Sequence, residues 1–276
     1  MSKLLKNREN FLIAFMQGRF SVPVGSNFQH FPIHEWEKEF NQAKKIGFSN
    51  IEWIISDYSN PIFNKEFQKI IEAALKKNKF NITSISLDLL MNNPLKRMTL
   101  KNARWLGQFI LIAVKKFKIQ RVSFPIEEDS RFNNQKEKIA TISRLKIFYK
   151  ILEKYCNLCI ETDISPAALD DFLKNKKLPK LGILIDLGNT KAHGFAIKDY
   201  FEKYSNKIYS AHLKFRDKNF GISKPIPKKN YYELEYFIKN IYLLKNFKDL
   251  TFQTFKSPKK FIADIKQSVR NFNNYV

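Results

Sequence analysis

The sequence predicts a (β/α)8 barrel, and two features of the chain predict it. Eight short runs rich in Ile, Leu, Val and Phe alternate with segments whose apolar residues recur at helical spacing. Such alternation implies parallel strands joined by right-handed helical crossovers, and eight units in one domain is the number that closes a barrel. A doubly wound open sheet is the alternative.

The clearest strand is the sixth. Its residues are apolar on both faces until Asp186, and Gly188 and Asn189 then turn the chain. A run that is apolar on both faces is typical of a strand buried in a parallel sheet. The eight predicted strands cover residues 11–16, 50–55, 81–87, 121–126, 156–160, 181–186, 207–213 and 249–255. No Asn-Gly or Asp-Gly pair signals an antiparallel hairpin.

Helices are predicted between these strands. In the first, Trp36, Phe40 and Ala43 share a face, and Gly47 ends the helix as a C-cap glycine does. Ser165-Pro166 provides an N-cap and first turn for the fifth helix. The predicted helices cover residues 33–46, 64–78, 99–117, 136–155, 167–175, 197–204, 231–244 and 258–272.

Length and composition predict a single domain that spans residues 1–276. A barrel of this type commonly takes roughly 250 residues. The chain has 44% hydrophobic residues and 26 Phe, which is ample for a large core. It has only 8 Gly and 10 Pro and no low-complexity stretch, so no linker is evident.

The charge is strongly basic, with 49 Lys and Arg against 26 Asp and Glu and a formal net charge of +23. A basic surface can attract nucleic acid, anionic membranes or phosphorylated small molecules. Here the lysines are scattered along polar helix faces without a basic tail, and the abundance of Lys, Asn, Ile and Phe is typical of an AT-rich genome. The pattern argues against nucleic acid as a partner and is compatible with an anionic substrate.

The cysteines and the start of the chain predict a cytoplasmic protein without a membrane span. Cys156 and Cys159 form a Cys-x-x-Cys sequence, but it falls in a predicted strand, where the side chains point to opposite faces, so we interpret both as structural. The apolar run at residues 11–16 is too short for a signal sequence or a membrane span.

Four polar residues lie at or near the ends of the last four predicted strands: Glu161, Asp186, His212 and Gln253. Because the carboxyl ends of the strands of a barrel meet at one rim, these side chains are expected to converge. Their oxygen and nitrogen atoms would suit one divalent ion such as Mn, Mg, Co or Zn. Spacing alone leaves open that Asp186 only caps a turn and that His212 is a structural histidine.

A wider set of segments carries a family resemblance; in chain order these are Met16-Gln17-Gly18-Arg19, Phe31-Pro32, Trp36 to Phe40, Ile46 to Trp53, Ser84 to Asp88, Ile160-Glu161, Ile185 to Asn189 and His212-Leu213-Lys214. With them the chain resembles the sugar phosphate isomerase/epimerase family of xylose isomerase-like TIM barrels. The resemblance implies one divalent metal on strands five to eight. It also implies a sugar or sugar phosphate substrate, whose proton next to the carbonyl moves through an enediolate held on the metal.

Carried over by residue, the resemblance makes Glu161 both metal ligand and proton-transfer base, and Asp186 and His212 ligands. Gln253 stands where the family has its second catalytic carboxylate. Its amide oxygen can ligate a metal, but the amide cannot shuttle a proton. This departure counts against an epimerase with a carboxylate on each face of the substrate. It leaves a one-base isomerase, or a non-catalytic barrel that binds a sugar phosphate or a partner.

Six further residues are expected to contact the substrate: Arg19, Glu52, Asp88, Asn189, Lys214 and Arg216. Lys214 and Arg216 would hold a phosphate or carboxylate, because alternate strand residues share a face with His212; the alternative is a pair of surface cations. The family's His-x-Lys-Asp-Arg has Phe215 in place of its Asp here, and the glycine-rich loop that follows is reduced to residues 221–227.

DNA repair enzymes of the endonuclease IV type share this superfamily and invite comparison because of the charge. Their sites bind three zinc ions through many histidines, including one three residues beyond the Asp. This chain has 4 His in total and Asn189 at that position, which argues against a repair enzyme. The sequence leaves the sugar, the metal and a homo-oligomeric state open.

Overall fold

The computed structural model describes residues 11–22, 30–217, 223–254 and 260–276. Eight parallel strands form a closed barrel in which each strand pairs with its neighbours in chain order, and the last pairs with the first. They are β1 (Leu12–Met16), β2 (Asn50–Ile54), β3 (Asn81–Ser86), β4 (Arg121–Ile126), β5 (Asn157–Thr162), β6 (Leu181–Asp186), β7 (Ile208–Leu213) and β8 (Asp249–Phe252). The predicted (β/α)8 barrel is confirmed, and the open-sheet alternative is wrong.

Helices connect the strands around the outside. They are α1 (Trp36–Ile46), α2 (Lys65–Asn78), α3 (Leu89–Asn92), α4 (Leu100–Phe117), α5 (Gln135–Leu152), α6 (Asp170–Leu173), α7 (Leu187–Ala192), α8 (Ile197–Tyr204), α9 (Tyr232–Asn240) and α10 (Phe261–Phe272). Gly47 ends α1 with a left-handed φ of 99°, as predicted. The helix expected over 167–175 is only α6, a single turn, and α3 and α7 were not predicted because each is too short to show helical periodicity.

Three features of the loops depart from the sequence-based expectation or fall outside the described residues. Residues Phe215–Arg216 and Ser223–Lys224 form a small antiparallel pair after β7, although no two-residue turn signal marks it. Gly221 and Ile222 of the expected substrate loop lie outside the described residues. So do Phe255 at the end of the eighth predicted strand and the first residues of the last predicted helix.

The barrel strands are buried on both faces, as the apolar runs predicted, but the two faces differ in chemistry. Outward-facing side chains pack under the helices; Phe15, for example, contacts Phe20 and Phe48 with ring centroids 4.9 and 5.6 Å apart. The barrel interior instead holds buried charged side chains, including Glu52 and Arg121. A TIM barrel interior is usually filled by apolar branched residues. The polar interior leads directly to the rim where the candidate site lies.

Cys159 lies within β5, whereas Cys156, which was expected in the same strand, lies just before it. Both thiols are free; Cys159 is buried in a strand of the barrel and Cys156 is partly buried beside it. Burial raises the pKa of the Cys156 thiol to about 12, which keeps it protonated and unreactive at neutral pH. Across the described part of the chain, none of the helices has both the length and the apolar composition that a membrane crossing requires.

Candidate active site

The four residues expected to converge lie on adjacent strands at the carboxyl end of the barrel. Glu161 is in β5, Asp186 ends β6, His212 is in β7 and Gln253 directly follows β8; all four are buried. Asp186 pairs with His212 across the β6–β7 ladder, so both point to the barrel interior. Ligand atoms of Glu161, Asp186 and His212 lie within 4.8 Å of one another. These three residues therefore form one compact, buried donor set.

The imidazole of His212 is held between two carboxylates. Its Nδ1 lies 2.9 Å from Oε1 of Glu161, and its Nε2 lies 2.9 Å from Oε2 of Glu52. Glu52 was expected to contact the substrate; the structure places it in the barrel interior below the rim, fully buried and against His212. Glu52 thus fixes the orientation of the ring from the side opposite to Glu161.

A buried arginine holds Glu52 in turn. Arg121, at the start of β4, contacts Oε1 of Glu52 at 3.1 Å. It also makes a bidentate ion pair with Asp249, in which Nε donates to Oδ2 at 3.0 Å and Nη2 donates to Oδ1 at 2.8 Å. The Ser210 hydroxyl donates to Oδ1 of Asp249 at 2.7 Å. Arg121 and Asp249 were not singled out from the sequence. A charged residue inside a predicted buried strand is the signal that would have revealed them, because such a charge requires a partner.

These contacts shift the pKa values of the buried groups. Burial by itself would raise the pKa of Glu52, but the positive charges of Arg121 and His212 and the hydrogen bonds that the carboxylate accepts lower it to about 2. Burial likewise disfavours the charged form of His212, but the carboxylates of Glu161 and Glu52 raise its pKa to about 10. Without a metal ion, His212 is therefore an imidazolium at neutral pH.

Lys214 lies between two of the predicted ligands. Its Nζ is 2.7 Å from Oδ2 of Asp186 and 3.0 Å from Oε1 of Gln253. Gly188 makes room for it, since a Cβ at position 188 would lie 2.6 Å from the Cγ and 3.0 Å from the carbonyl oxygen of Lys214. Positive charge is therefore accommodated beside Asp186 and Gln253, which is what a cation site at this position requires.

The turn after β6 connects the donor set to the rim. Asp186 both faces the site and caps α7, because its Oδ1 accepts the backbone N–H of Asn189 at 2.7 Å. The Asn189 side chain donates to Oε2 of Glu127 at 2.6 Å and accepts from Arg216 at 2.8 Å. Both interpretations of Asp186, as turn cap and as site residue, are thus compatible with one conformation.

A cavity of about 310 Å3 is lined by Gln253 and by Lys214, whose ammonium contacts Asp186 of the donor set. Of the six residues expected to contact a substrate, Asp88, Asn189 and Lys214 line it, together with Gln253; Arg19, Glu52 and Arg216 do not. Arg19 is instead buried beside Met16, with its Nη2 3.3 Å from the thioether sulfur. Three of the six residues expected to contact a substrate therefore line the cavity.

Glu127 also lines the cavity and was not singled out from the sequence. It directly follows β4, and its neighbour Glu128 has a left-handed φ of 48°. Burial and the nearby carboxylates of Glu161, Asp186 and Asp163 raise the pKa of Glu127 well above its usual value, while Lys214 opposes the shift. The Glu-Glu pair after a buried strand was a signal comparable to Asp186 after β6.

Comparison with known proteins supports the architecture. No protein-family model matches the chain, and no curated protein matches it by sequence. Among solved structures, the chain is similar to a xylose isomerase domain protein from Planctomyces limnophilus, with a TM-score of 0.71, 12% identity and coverage of 96% of this chain and 97% of that one.

Two further similar structures contain a ligand. D-Psicose 3-epimerase from Clostridium cellulolyticum H10, solved with D-tagatose, has a TM-score of 0.70, 12% identity and coverage of 96% and 99% of the two chains. A xylose isomerase-like TIM barrel protein from Mycobacterium smegmatis in complex with magnesium has a TM-score of 0.65, 15% identity and coverage of 96% and 97%. At such identities the likeness shows the fold alone: this chain is a TIM barrel, similar in fold to xylose isomerase-like proteins.

Proposed function

We propose that this protein is a divalent-metal-dependent isomerase or epimerase that acts on a sugar. The observation that carries the proposal is the donor set of Glu161, Asp186 and His212, whose ligand atoms lie within 4.8 Å at the carboxyl rim of the barrel. Active sites of TIM barrels are built at that rim. Sugar isomerases and epimerases are among the proteins with the same fold.

The residues present fit a divalent cation such as Mn, Mg, Co or Zn. Two carboxylates and one imidazole nitrogen are oxygen and nitrogen donors of the types these ions take. The amide oxygen of Gln253 is a fourth candidate, because it and Asp186 both contact the ammonium of Lys214. Such an ion, when bound, polarises the substrate carbonyl and makes the adjacent C–H more acidic.

In this proposal Glu161 removes and returns the proton on the carbon next to the carbonyl. Its carboxylate lies at the rim and is oriented by His212, which is in turn oriented by Glu52. Asp88 and Asn189 in the cavity wall bind sugar hydroxyls. The buried position of Glu161 limits access of water to the proton it carries.

The cavity favours an uncharged sugar over a sugar phosphate. Among the described residues that line it, Asp88, Glu127 and Glu128 carry carboxyl groups, whereas the one cation, Lys214, already contacts Asp186 and Gln253. The net charge of +23 is therefore not concentrated on the described wall of the cavity. We expect D-fructose to be processed faster than D-fructose 6-phosphate.

The first test is the metal content of the purified protein by elemental analysis, followed by proton exchange. We expect about one divalent ion per chain, lost in a Glu161→Gln/His212→Ala double variant. The metal-loaded protein in D2O should then introduce deuterium next to the carbonyl of D-fructose, D-tagatose or D-psicose, observed by 1H NMR. Failure to bind any ion after soaking in excess Mn2+ would refute the proposal.

A non-catalytic barrel that binds a sugar or a partner is the second candidate. The contact of Lys214 with Asp186 and Gln253 favours it, because an ammonium then occupies the space where a metal ion would bind these two oxygens. The matched test is a Lys214→Met variant. If the ammonium permanently replaces the ion, wild-type protein binds no Mn2+ and the variant gains binding; if the protein is a metalloenzyme, both bind it.

A further inference from the structure

We propose that Glu127 is a second proton-transfer residue of the site, which moves a proton between two neighbouring substrate oxygens while Glu161 handles the carbon-bound proton. This inference rests on the proposed function. Glu127 was not singled out from the sequence. Its carboxyl supplies the second proton transfer, which the amide of Gln253 cannot.

The position of Glu127 follows from the register of the barrel. Pro125 pairs with Glu161 across the β4–β5 ladder, so both residues point to the same side of the sheet, the barrel interior. Glu127 comes two residues after Pro125 and lines the same cavity as Gln253 and Lys214. Glu127 therefore borders the cavity next to Lys214, which contacts Asp186 of the donor set.

The backbone around Glu127 is fixed by specific contacts. Its N–H donates to the Ser130 hydroxyl at 2.9 Å, and the next N–H, of Glu128, donates to Oδ2 of Asp163 at 3.1 Å. Glu128 adopts a left-handed φ of 48°, a conformation that costs energy for a residue with a side chain. Such local strain is commonly found at functional positions. The turn thus holds Glu127 at the cavity by several contacts.

The carboxyl of Glu127 differs from that of Asp186 in its partner. It accepts from the neutral amide of Asn189 at 2.6 Å, whereas Asp186 pairs with Lys214. Asp88, another carboxyl of the cavity wall, also has a neutral partner, since it accepts from the Ser86 hydroxyl at 2.6 Å. Within the described residues, no ion pair involves Glu127. A carboxyl with a neutral partner is free to alternate between its acidic and basic forms.

The charges around Glu127 favour the protonated form as the resting state. Burial and Glu161 on β5 raise its pKa; Lys214 after β7 lowers it; Asp186 on β6 and Asp163 after β5 raise it further. Glu161 as base and Glu127 as acid then form a complementary pair of carboxyls with different environments, which is how such sites divide acid and base roles.

The resulting reaction is an aldose–ketose isomerisation that balances without any co-reactant. Glu161 takes the proton from C1 of the ketose, which leaves an enediolate with its negative charge on the oxygen of C2. Glu127 then gives its proton to that oxygen, which forms a neutral enediol. Glu127, now a carboxylate, takes the proton from the oxygen on C1, and Glu161 returns its proton to C2, which gives the aldose. Both carboxyls end in their starting forms. No second base on the opposite face is required, so the absence of a carboxylate at Gln253 is accommodated.

The test compares two readouts in D2O with D-fructose, D-tagatose and D-psicose as probes and the metal-loaded protein. One is deuterium introduced into the starting ketose, which needs Glu161; the other is aldose formed, which needs both residues. We expect Glu127→Gln to lower aldose formation about 100-fold or more, in the range typical of a lost acid–base group, while exchange into the ketose falls less than about tenfold. Glu127→Asp, which keeps the carboxyl, should recover part of the aldose formation.

The control variant is Asp129→Asn, which removes the same charge from the same turn at an exposed residue outside the cavity; both readouts should stay at the wild-type level. Metal content, measured by elemental analysis, should be unchanged in all three variants. Equal loss of both readouts in Glu127→Gln, or no loss of either, would overturn the inference but leave the proposed function standing. A wild-type protein that binds metal but exchanges no proton in any probe would overturn both.

Discussion

His212 shows how a single residue is prepared for metal binding by its neighbours. Glu52 accepts at Nε2, so Nδ1, the nitrogen that faces Glu161 and the donor set, is left to supply a lone pair when the ring is neutral. A carboxylate behind a ligating histidine fixes its tautomer and raises its basicity. Glu52 therefore acts on the site through His212 and not through the substrate.

Replacing Glu52 by Gln should weaken Mn2+ binding about 10- to 100-fold, because the carboxylate that orients His212 is lost. Isothermal titration calorimetry measures the affinity, and circular dichroism checks the fold. Ser123→Ala is the matched control and should leave the affinity unchanged, because the Ser123 hydroxyl lies 3.4 Å from Oε1 of Glu52, the oxygen that does not contact His212. Wild-type affinity in a folded Glu52→Gln variant would contradict the assignment.

The raised pKa of His212 makes metal binding depend on pH. In the metal-free protein the pKa is about 10, above the ordinary 6.5, so the ring is charged at pH 7 and must lose its proton to coordinate. We expect Mn2+ binding at pH 7 to release about one proton and the affinity to increase as the pH rises towards 10. Binding enthalpies measured in buffers of different ionisation heat give the proton count; the same enthalpy in every buffer would rule the release out.

The same shift fixes the sign of the stability change in the metal-free protein. A group whose pKa is raised on folding stabilises the fold fully below its unfolded pKa, here about 6.5, and loses that contribution as the pH rises through about 10. Glu52, whose pKa is lowered to about 2, contributes above about 4.5 and loses its contribution as the pH falls towards 2. The two groups together favour the interval between about pH 4.5 and 6.5.

At the level of elements, the packing of β6 against β7 requires a glycine at position 182. A Cβ on Gly182 would lie 2.5 to 2.8 Å from three ring atoms of Tyr209, which packs against the strand from β7. One of these is the ring carbon nearest the backbone, so the ring cannot swing away without moving β7. The close approach of two strands, rather than a turn, is what requires glycine here.

Gly182→Ala should therefore destabilise the protein by about 1–3 kcal/mol, the cost typical of overpacking a core, measured by urea unfolding. Gly107→Ala in α4 is the control. A Cβ there meets the terminal Cδ1 of Ile151 at 2.8 Å, which can move, and alanine favours the helix over glycine. Gly107→Ala should be neutral or stabilising; a loss in this variant as large as in Gly182→Ala would argue against the specific clash with Tyr209.

The observed strand ends show which local sequence signals were sufficient to predict them. β4 and β6 begin and end where the sequence predicted, because Pro125 and the Asp-Leu-Gly-Asn turn mark their ends. β5 runs two residues further than predicted, to Thr162, which places Glu161 inside the strand. The strand was predicted to end too early because Glu161 and Thr162 are polar. Both are nevertheless buried, through contacts that no local sequence pattern reveals.

At the scale of the whole molecule, Arg121 links parts of the chain that are far apart in sequence. It joins β4 to Asp249 on β8, 128 residues away, and to Glu52 on β2, across the interior of the closed barrel. Removing one member of a buried ionic cluster leaves the others without compensation. This cluster lies beneath His212, so stability and site geometry depend on the same contacts.

Arg121→Met should lower the free energy of unfolding by about 3–5 kcal/mol, because Glu52 and Asp249 would remain buried without their cation. Lys116→Met breaks an ion pair with Glu72 of 2.6 Å that is partly exposed, and should cost no more than about 1 kcal/mol. Urea unfolding of both variants provides the comparison. Equally small losses of unfolding free energy in the two variants would show that other groups compensate the charges of Glu52 and Asp249.

The sequence by itself determined the barrel, because eight apolar runs and eight amphipathic segments are local patterns that persist in any context. It also placed Glu161, Asp186, His212 and Gln253 at one rim, because strand ends in a parallel barrel share an edge. Their metal-binding and catalytic roles remain predictions.

Only the tertiary structure decided how these residues are held. The contact of Glu52 with His212, the ion pair of Arg121 with Asp249, the place of Lys214 between Asp186 and Gln253, and the presence of Glu127 in the cavity all join different strands. Such contacts depend on register and on closure of the barrel, which bring together residues that are up to 160 positions apart. A one-dimensional pattern shows which residues can reach the interior but not which of them meet there.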